Sequence, residues 1–250
     1  MTSLVQTTTF SRRIVDMPTL TQFNLSRPLL LLGLLGFAGP SFALQPYQAD
    51  YVFNIDNRFN GESSRTLKKD GQDWVYTFRA RIPVVANATE VSRFRLDTNN
   101  NVQSIAHSLS YKILVHSKTN SLKFDLNKLQ VTGNKNGKPV NYTVQPDVLD
   151  ELNLEFQVRE DVKRGKLPPK YWLANDKGQD SVSFVQEGQA RIKVPAGTYD
   201  TVKIRRVHKD PKRVTTFWLA PQLDYLPIKV TQNDDGTVYD FNLRSYRPAT

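Results

Sequence analysis

Apolar and polar residues alternate over short runs along most of the chain, and each run ends in turn-forming residues. Tyr51, Phe53 and Ile55 alternate with Val52, Asn54 and Asp56, and Asn60-Gly61 then predicts a hairpin turn. Ser64 to Lys69 leads into Asp70-Gly71, followed by Trp74 to Phe78. Val91, Arg93 and Arg95 alternate with Ser92, Phe94 and Leu96 as far as Asn99-Asn100-Asn101. Ile113-Leu114-Val115, Leu122 to Leu126 and Leu129 to Thr132 extend the series, and Asn136-Gly137 supplies another tight turn. Beyond residue 165, strands are expected at Lys170 to Leu173, Ser181 to Gln186, Arg191 to Val194, Thr198 to His208, Val214 to Leu219, Leu226 to Thr231 and Val238 to Ser245. Glu187-Gly188, Ala196-Gly197, Asp210-Pro211 and Asp234-Asp235-Gly236 are the expected turns between them.

The period changes between Pro146 and Gly165. Leu149, Leu152 and Phe156 follow helical spacing, with Asp150 and Glu151 at the positive end and Lys163 and Arg164 at the negative end. Gly165 is a fitting terminator. The expectation is one amphipathic helix of about four turns whose apolar stripe packs on a sheet face. Many short strands with one helix predict a mainly β fold: an antiparallel sheet that curls on itself as an open or closed β-barrel-like structure.

Residues 27–43 read differently. Arg27 precedes the apolar run Leu29 to Ala38, and Ser41-Phe42-Ala43 offers small residues where a signal peptidase cuts. The run is too short for a transmembrane helix of about 20 residues. The expected organisation is therefore a signal peptide over 1–43, with Met17 as an alternative start, and a single β-rich domain over 44–250. A lipoprotein leader needs a cysteine after the cut, and the sequence contains none. The expected address is the periplasm, without a lipid anchor.

Composition narrows the chemistry. The chain carries 34 Lys and Arg against 24 Asp and Glu, a formal net charge of +10. That balance favours anionic partners such as lipid headgroups. Without cysteine there is no thiol nucleophile, thiolate metal site or disulfide. His107, His116 and His208 show no metal-ligand spacing, and no G-x-S-x-G elbow is present. Asp147, Glu151 and Glu155 recur every four residues and would share one helix face. A cleft along that face would be needed for acid–base work, and a solvated face is the simpler reading. No catalytic residue, metal ligand or cofactor is assigned.

Two features suggest binding. On the run Val202 to His208, Val202 and Ile204 would face inward, with Lys203 and Arg205 on the outer side as a basic face for phosphate or anionic headgroups. Trp74, Trp172 and Trp218 could line an apolar cavity inside the curl, or serve as core.

The C-terminal third carries a family resemblance. Val194-Pro195-Ala196-Gly197-Thr198-Tyr199-Asp200-Thr201-Val202-Lys203-Ile204 resembles a block of DUF3108, a bacterial exported family of unknown function. Thr216 to Pro221 and Tyr225 to Val230 resemble its next block, and Tyr47 to Tyr51 and Val148 to Leu152 are similar to its earlier ones. The resemblance implies an exported β-rich protein and assigns no catalytic residue. The leading expectation is thus a periplasmic binding module for a lipid or hydrophobic envelope ligand, with Trp74, Trp172, Trp218, Lys203 and Arg205 as candidate contacts. Its expected partner is a cell-envelope component, lipid or protein, with peripheral membrane contact, no nucleic acid and no membrane span after cleavage. The alternatives are an assembly protein docking on an envelope complex and, last, a hydrolase with a spatially assembled site.

Overall fold

The computed structural model describes Leu44–Ala249. The expected leader lies outside the described residues. Fourteen strands and one α-helix follow in order: β1 (Tyr47–Ile55), β2 (Phe59–Asp70), β3 (Asp73–Ile82), β4 (Ala86–Leu96), β5 (Val102–Ile113), β6 (His116–Asp125), β7 (Gln130–Lys135) and β8 (Lys138–Thr143) precede α1 (Leu154–Lys163). Then come β9 (Tyr171–Asn175), β10 (Gly178–Val194), β11 (Gly197–Val207), β12 (Arg213–Ala220), β13 (Leu226–Asp234) and β14 (Thr237–Pro248). All pair antiparallel in one sheet, in the order β8-β7-β6-β5-β4-β3-β2-β1-β14-β13-β12-β11-β10-β9. The expected mainly β, curled antiparallel architecture with one helix is what forms.

The sheet is not closed by a strand ladder between β8 and β9, yet those two edges face each other across a seam. The segment leading into α1 enters this seam. Leu149 N donates to Trp172 O at 2.9 Å and Ala174 N donates to Leu149 O at 2.8 Å, a single parallel bridge. Asp176, in the β9–β10 turn, accepts from Asn120 Nδ2 at 3.0 Å and pairs with Lys118 at 2.8 Å and Lys135 at 3.5 Å. Leu122, Val131, Val144, Val148 and Ala174 form a small buried cluster there.

Strand alternation sets the inner face. Tyr47, Ala49, Tyr51 and Phe53 on β1 are buried, as are Leu67 on β2, Tyr76 on β3 and Phe94 on β4. On the other wall, Ile204, Leu219, Ile228 and Leu243 are nearly or fully inaccessible to solvent. Burying a large apolar side chain stabilises by about 1.5–3 kcal/mol, so this lining holds the curl together.

Several turns differ from the sequence expectation. The β1–β2 turn falls at Asp56 to Arg58, and Asn60-Gly61 lies within β2. Gly61 is needed there for space: a Cβ would stand 2.2 Å from Phe53 Cζ. Glu187-Gly188 is a bulge inside the continuous strand β10, with Gly188 at φ +105°. Leu114 and Val115 form a hairpin turn rather than strand.

The helix also differs. It starts at Leu154, eight residues after Pro146, because Asp150 and Asn153 close a turn ahead of it. Asp150 N donates to Asn153 Oδ1 at 2.9 Å, and Asn153 N donates to Asp150 Oδ1 at 2.7 Å. Asp147 and Glu151 therefore lie outside the helix and share no helical face with Glu155. Nor does α1 lay one stripe on one sheet face. Leu154, Phe156, Val158, Arg159, Asp161 and Val162 are all buried, and its partners come from β1, β2, β3, β4, β9 and the 221–225 connection. The helix sits inside the curl as a plug.

In this meander, successive turns alternate between two ends. The connections at 71–72, 97–101, 195–196 and 221–225 share the end where α1 is tied, through Arg164 to Asn99 and Asn101 and through Arg159 to Asp224. The connections at 56–58, 83–85, 114–115, 136–137, 176–177, 208–212 and 235–236 share the other, hairpin end.

Candidate functional site

Between the plug and the sheet lies a partly open cavity of about 240 Å³. One wall comes from β2, β3 and β4, and the opposite wall from β10 to β13. Its floor is the first half of α1 and the turn before it. Phe78, Leu152, Val158, Phe184, Ile204 and Phe217 give it an apolar surface.

Charged groups interrupt that surface, and most are paired. Arg65, on the inward phase of β2, forms an ion pair with Glu155 of α1, and its Nη1 donates to Tyr76 Oη at 3.0 Å. Tyr76 Oη donates in turn to Glu155 Oε1 at 2.9 Å. The Arg65 guanidinium lies 5.5 Å from the ring centroids of both Tyr51 and Phe78. Deeper, Arg159 donates to Tyr47 Oη at 3.2 Å, to Asp224 O at 2.7 and 2.9 Å, and to Asp224 Oδ2 at 3.0 Å. Burial raises the Tyr47 and Tyr51 hydroxyls well above the usual phenol range, so both stay protonated. Tyr51 Oη donates to Pro227 O at 2.9 Å, joining β1 to β13 across the interior.

Arg206 is paired but only partly satisfied. It shares the inward phase of β11 with Ile204, and its Nη1 donates to Glu151 Oε2 at 3.2 Å. Its Nε–H is buried and has no hydrogen-bond partner. A buried donor left unsatisfied costs about 1–3 kcal/mol. Arg206 is also one of the residues that line the cavity.

A second polar cluster lies against the turn before α1. Ser92 on β4 stands opposite His107 on β5, and Ser92 Oγ donates to Asp150 Oδ2 at 2.6 Å. His107 Nε2 is 2.7 Å from Glu90 Oε1. Burial pushes Asp150 up to about 6, against the opposing pull of His107 and the Ser92 hydrogen bond. Burial alone would lower His107, but the Glu90 hydrogen bond and the Asp150 charge outweigh it and raise it. Serine, histidine and aspartate therefore meet here, but in an order unlike a nucleophile relay: serine bonds the carboxylate, and histidine bonds a different one. Ser92 is also fully buried. The cluster fixes the turn that floors the cavity.

The five residues singled out in the sequence separate into three places. Lys203, Arg205 and Trp218 share the outer face of β11 and β12, where Lys203 pairs with Trp218 in register. Both cations there are engaged by Glu187, at 3.0 Å from Lys203 and 2.5 Å from Arg205, while Lys229 Nζ lies 5.9 Å from the Trp218 ring. Trp74 is buried opposite Phe94, with Lys69 Nζ 4.4 Å from its ring. Trp172 packs on the seam cluster, with Lys170 Nζ 4.0 Å from its ring. None of the five lines the 240 Å³ cavity.

Trp172 instead borders a larger groove of about 700 Å³ at the helix end. Arg164 there engages Asp161, Asn101 and Asn99, and Tyr171 engages Asp161, while Asp147 and Lys166 are exposed at its rim. The smaller cavity, which Arg206 lines, is the better site.

Sequence reasoning missed Arg65, Glu155 and Arg206 as a group. The signal for two of them was present: Arg65 shares the phase of Leu67, and Arg206 that of Val202 and Ile204. An ionisable residue on the apolar phase of a strand faces the interior. Among the described residues, no group of three or more His, Cys, Asp or Glu is arranged to hold a metal ion.

A curled antiparallel sheet wrapped around a helical plug, with an apolar cavity beside it, is the class this structure defines. The chain belongs to the family described as "Protein of unknown function (DUF3108)", which it matches over residues 44–241. No curated protein matches it. Among solved structures, it resembles a beta-barrel-like protein of domain of unknown function DUF1849 from Brucella abortus, with a TM-score of 0.57 and 12% identity. That match covers 83% of this chain and 99% of the other, and it shows a shared fold. A candidate lipoprotein from Parabacteroides distasonis aligns over 82% of this chain and 96% of its own, at 10% identity and a TM-score of 0.31.

Proposed function

We propose that this protein is an exported binding module of the cell envelope that holds the apolar part of an amphiphile in its helix-floored cavity. The observation that carries the reading is the pairing of an apolar cavity with one buried, unpartnered Arg206 N–H. The ligand it fits has an alkyl or ring portion next to an oxygen acceptor such as a carboxylate, carbonyl or phosphate. Volume limits its size. Drug-sized ligands occupy about 300–1,000 Å³, so about 240 Å³ suits one short chain or ring rather than a whole diacyl lipid. The periplasmic address rests on the signal-peptide pattern over residues 27–43. Among the described residues, no helix is long and apolar enough to cross a membrane.

The test uses delipidated protein and a soluble medium-chain fatty acid. Native mass spectrometry should show a one-to-one adduct, and the melting temperature should rise with ligand concentration. Leu152→Trp, which fills the cavity, should abolish the adduct while the protein remains folded. Arg206→Met should keep the fold and weaken the adduct, because it removes the donor that seeks an acceptor. A wild-type protein that takes up neither fatty acids nor alkyl phosphates, or a Leu152→Trp variant that binds as well as wild type, would sink the proposal.

A further inference from the structure

Among the described residues, eight of the nine exposed large apolar side chains lie at the hairpin end, and the most exposed of them crowd two neighbouring turns. Val84 is 98% exposed in the β3–β4 turn, and Leu114 and Val115 are 62% and 86% exposed in the β5–β6 turn. Turn tips ordinarily carry Gly, Asn, Asp or Pro. Other turns at this end do so: Asp56-Asn57, Asn136-Gly137 and Asp235-Gly236. The two apolar turns also carry backbone strain. Val84 has φ +65° and Leu114 φ +53°, in the left-handed region that side chains avoid and that is an outlier for a β-branched residue. These two positions thus combine strain with apolar exposure, and neither feature serves the core.

The two turns act as one unit. β4 and β5 pair from Ala86 with Ile113, and Leu114 N donates to Val85 O at 2.9 Å. Around them basic residues predominate; Glu62, opposite Arg81 in register, is paired with Arg244. Arg81, Lys112 and Lys138 are exposed and have no ion pair among the described residues. No Asp or Glu occurs in residues 81–89, 109–124 or 130–143.

We propose that this double tip docks the protein on an anionic phospholipid bilayer, seating Val84, Leu114 and Val115 among the headgroups while Arg81, Lys112 and Lys138 meet lipid phosphates. Apolar side chains flanked by uncompensated cations are the pattern of interfacial membrane binding. Arg81, Val84, Lys112 and Leu114 line a depression of about 230 Å³ between the two turns, and its cations argue for an anionic headgroup over a protein partner.

Co-flotation with vesicles tests it. Wild-type protein at about 0.1 M salt should float with vesicles of phosphatidylethanolamine and phosphatidylglycerol and stay behind with phosphatidylcholine alone. The combined substitution Val84→Ser, Leu114→Ser, Val115→Ser should cut the floating fraction about ten-fold or more, with the melting temperature unchanged or raised. Arg81→Ser with Lys112→Ser should lose binding at that salt. Because the sequence has no cysteine, Val115→Cys gives a unique position for an environment-sensitive fluorophore, whose emission should shift to the blue on adding anionic vesicles. Three results would overturn the proposal: wild type that floats with neither vesicle, a triple variant that floats like wild type, or a dimer in sedimentation that the triple variant dissolves. The cavity test employs a soluble monomeric ligand without a bilayer, so either idea can fail alone.

Discussion

Asp150 shows how one buried residue couples the site to pH. It is fully buried, accepts from Ser92, Leu152 and Asn153, and lies near His107 and Glu90. Its folded pKa of about 6 stands above the ordinary 3.8, so between those values the native state holds a proton that the unfolded chain has released. Stability from this group is therefore complete below about pH 4 and is lost as pH rises to about 6. His107, also raised, acts in the same direction at higher pH. Asp73, Asp97 and Asp176 are lowered and act in the opposite sense in acid, so the contrast to measure is between variant and wild type. Asp150→Asn can keep both backbone hydrogen bonds without the charge. Relative to wild type, it should gain on the order of 2–3 kcal/mol in urea unfolding as pH rises from 4 to 6.5. An unchanged difference between the two pH values would refute the assignment.

Among the elements, α1 decides whether the curl has an interior or a core. Arg159 anchors it and is nearly inaccessible to solvent, bonding both Tyr47 at the start of β1 and Asp224 before β13. Removing one partner of a buried charge network costs about 3–5 kcal/mol. Here Asp224 is partly exposed and keeps Lys163, which reduces the loss. Arg159→Met should therefore destabilise by about 2–4 kcal/mol in chemical denaturation. A neutral effect would mean that the plug is held by its apolar residues alone. Much of the element order was legible in the sequence. Asp70-Gly71, Asn136-Gly137 and Asp235-Gly236 mark true turns because their backbone conformations demand those residues. Asn60-Gly61 and Glu187-Gly188 misled, because the same glycine serves for a close ring contact in one case and a bulge in the other. The helix start was obscured by Pro146, Asp147 and Asp150, which imitate a helix N-terminus although Asp150 closes a separate turn. The cavity was hidden for another reason: its charges come one at a time from β2, α1 and β11, and nothing in local spacing joins them.

On the scale of the whole molecule, the two ends are unlike. One is occupied by α1 and its ties to 97–101 and 221–225, and the other carries the exposed apolar turns. The inner wall becomes less buried toward the hairpin end: Leu67 and Tyr76 are fully buried, whereas Ala80, Ile82 and Tyr239 are only partly so. A ligand reaching the cavity from that side and a bilayer met by the double tip would belong to one approach direction.

The pairing of β1 with β14 has a consequence for how the chain could be cut and rejoined. Read in space from β9 through β14 to β1 and on to β8, every strand neighbours the next, so the open sheet is one run of antiparallel neighbours. Ala249 N donates to Pro46 O at 2.9 Å, so the two ends of the sheet-forming chain already touch. A circular permutant that joins residues 249 and 46 by a short linker and opens at Gly165 would have only sequential strand pairs. Its mean contact separation would fall, and since folding rate rises as contact order falls, it should refold faster than the natural order at similar stability. A permutant that failed to fold would show that α1 must remain tethered to β9 for the sheet to curl around it.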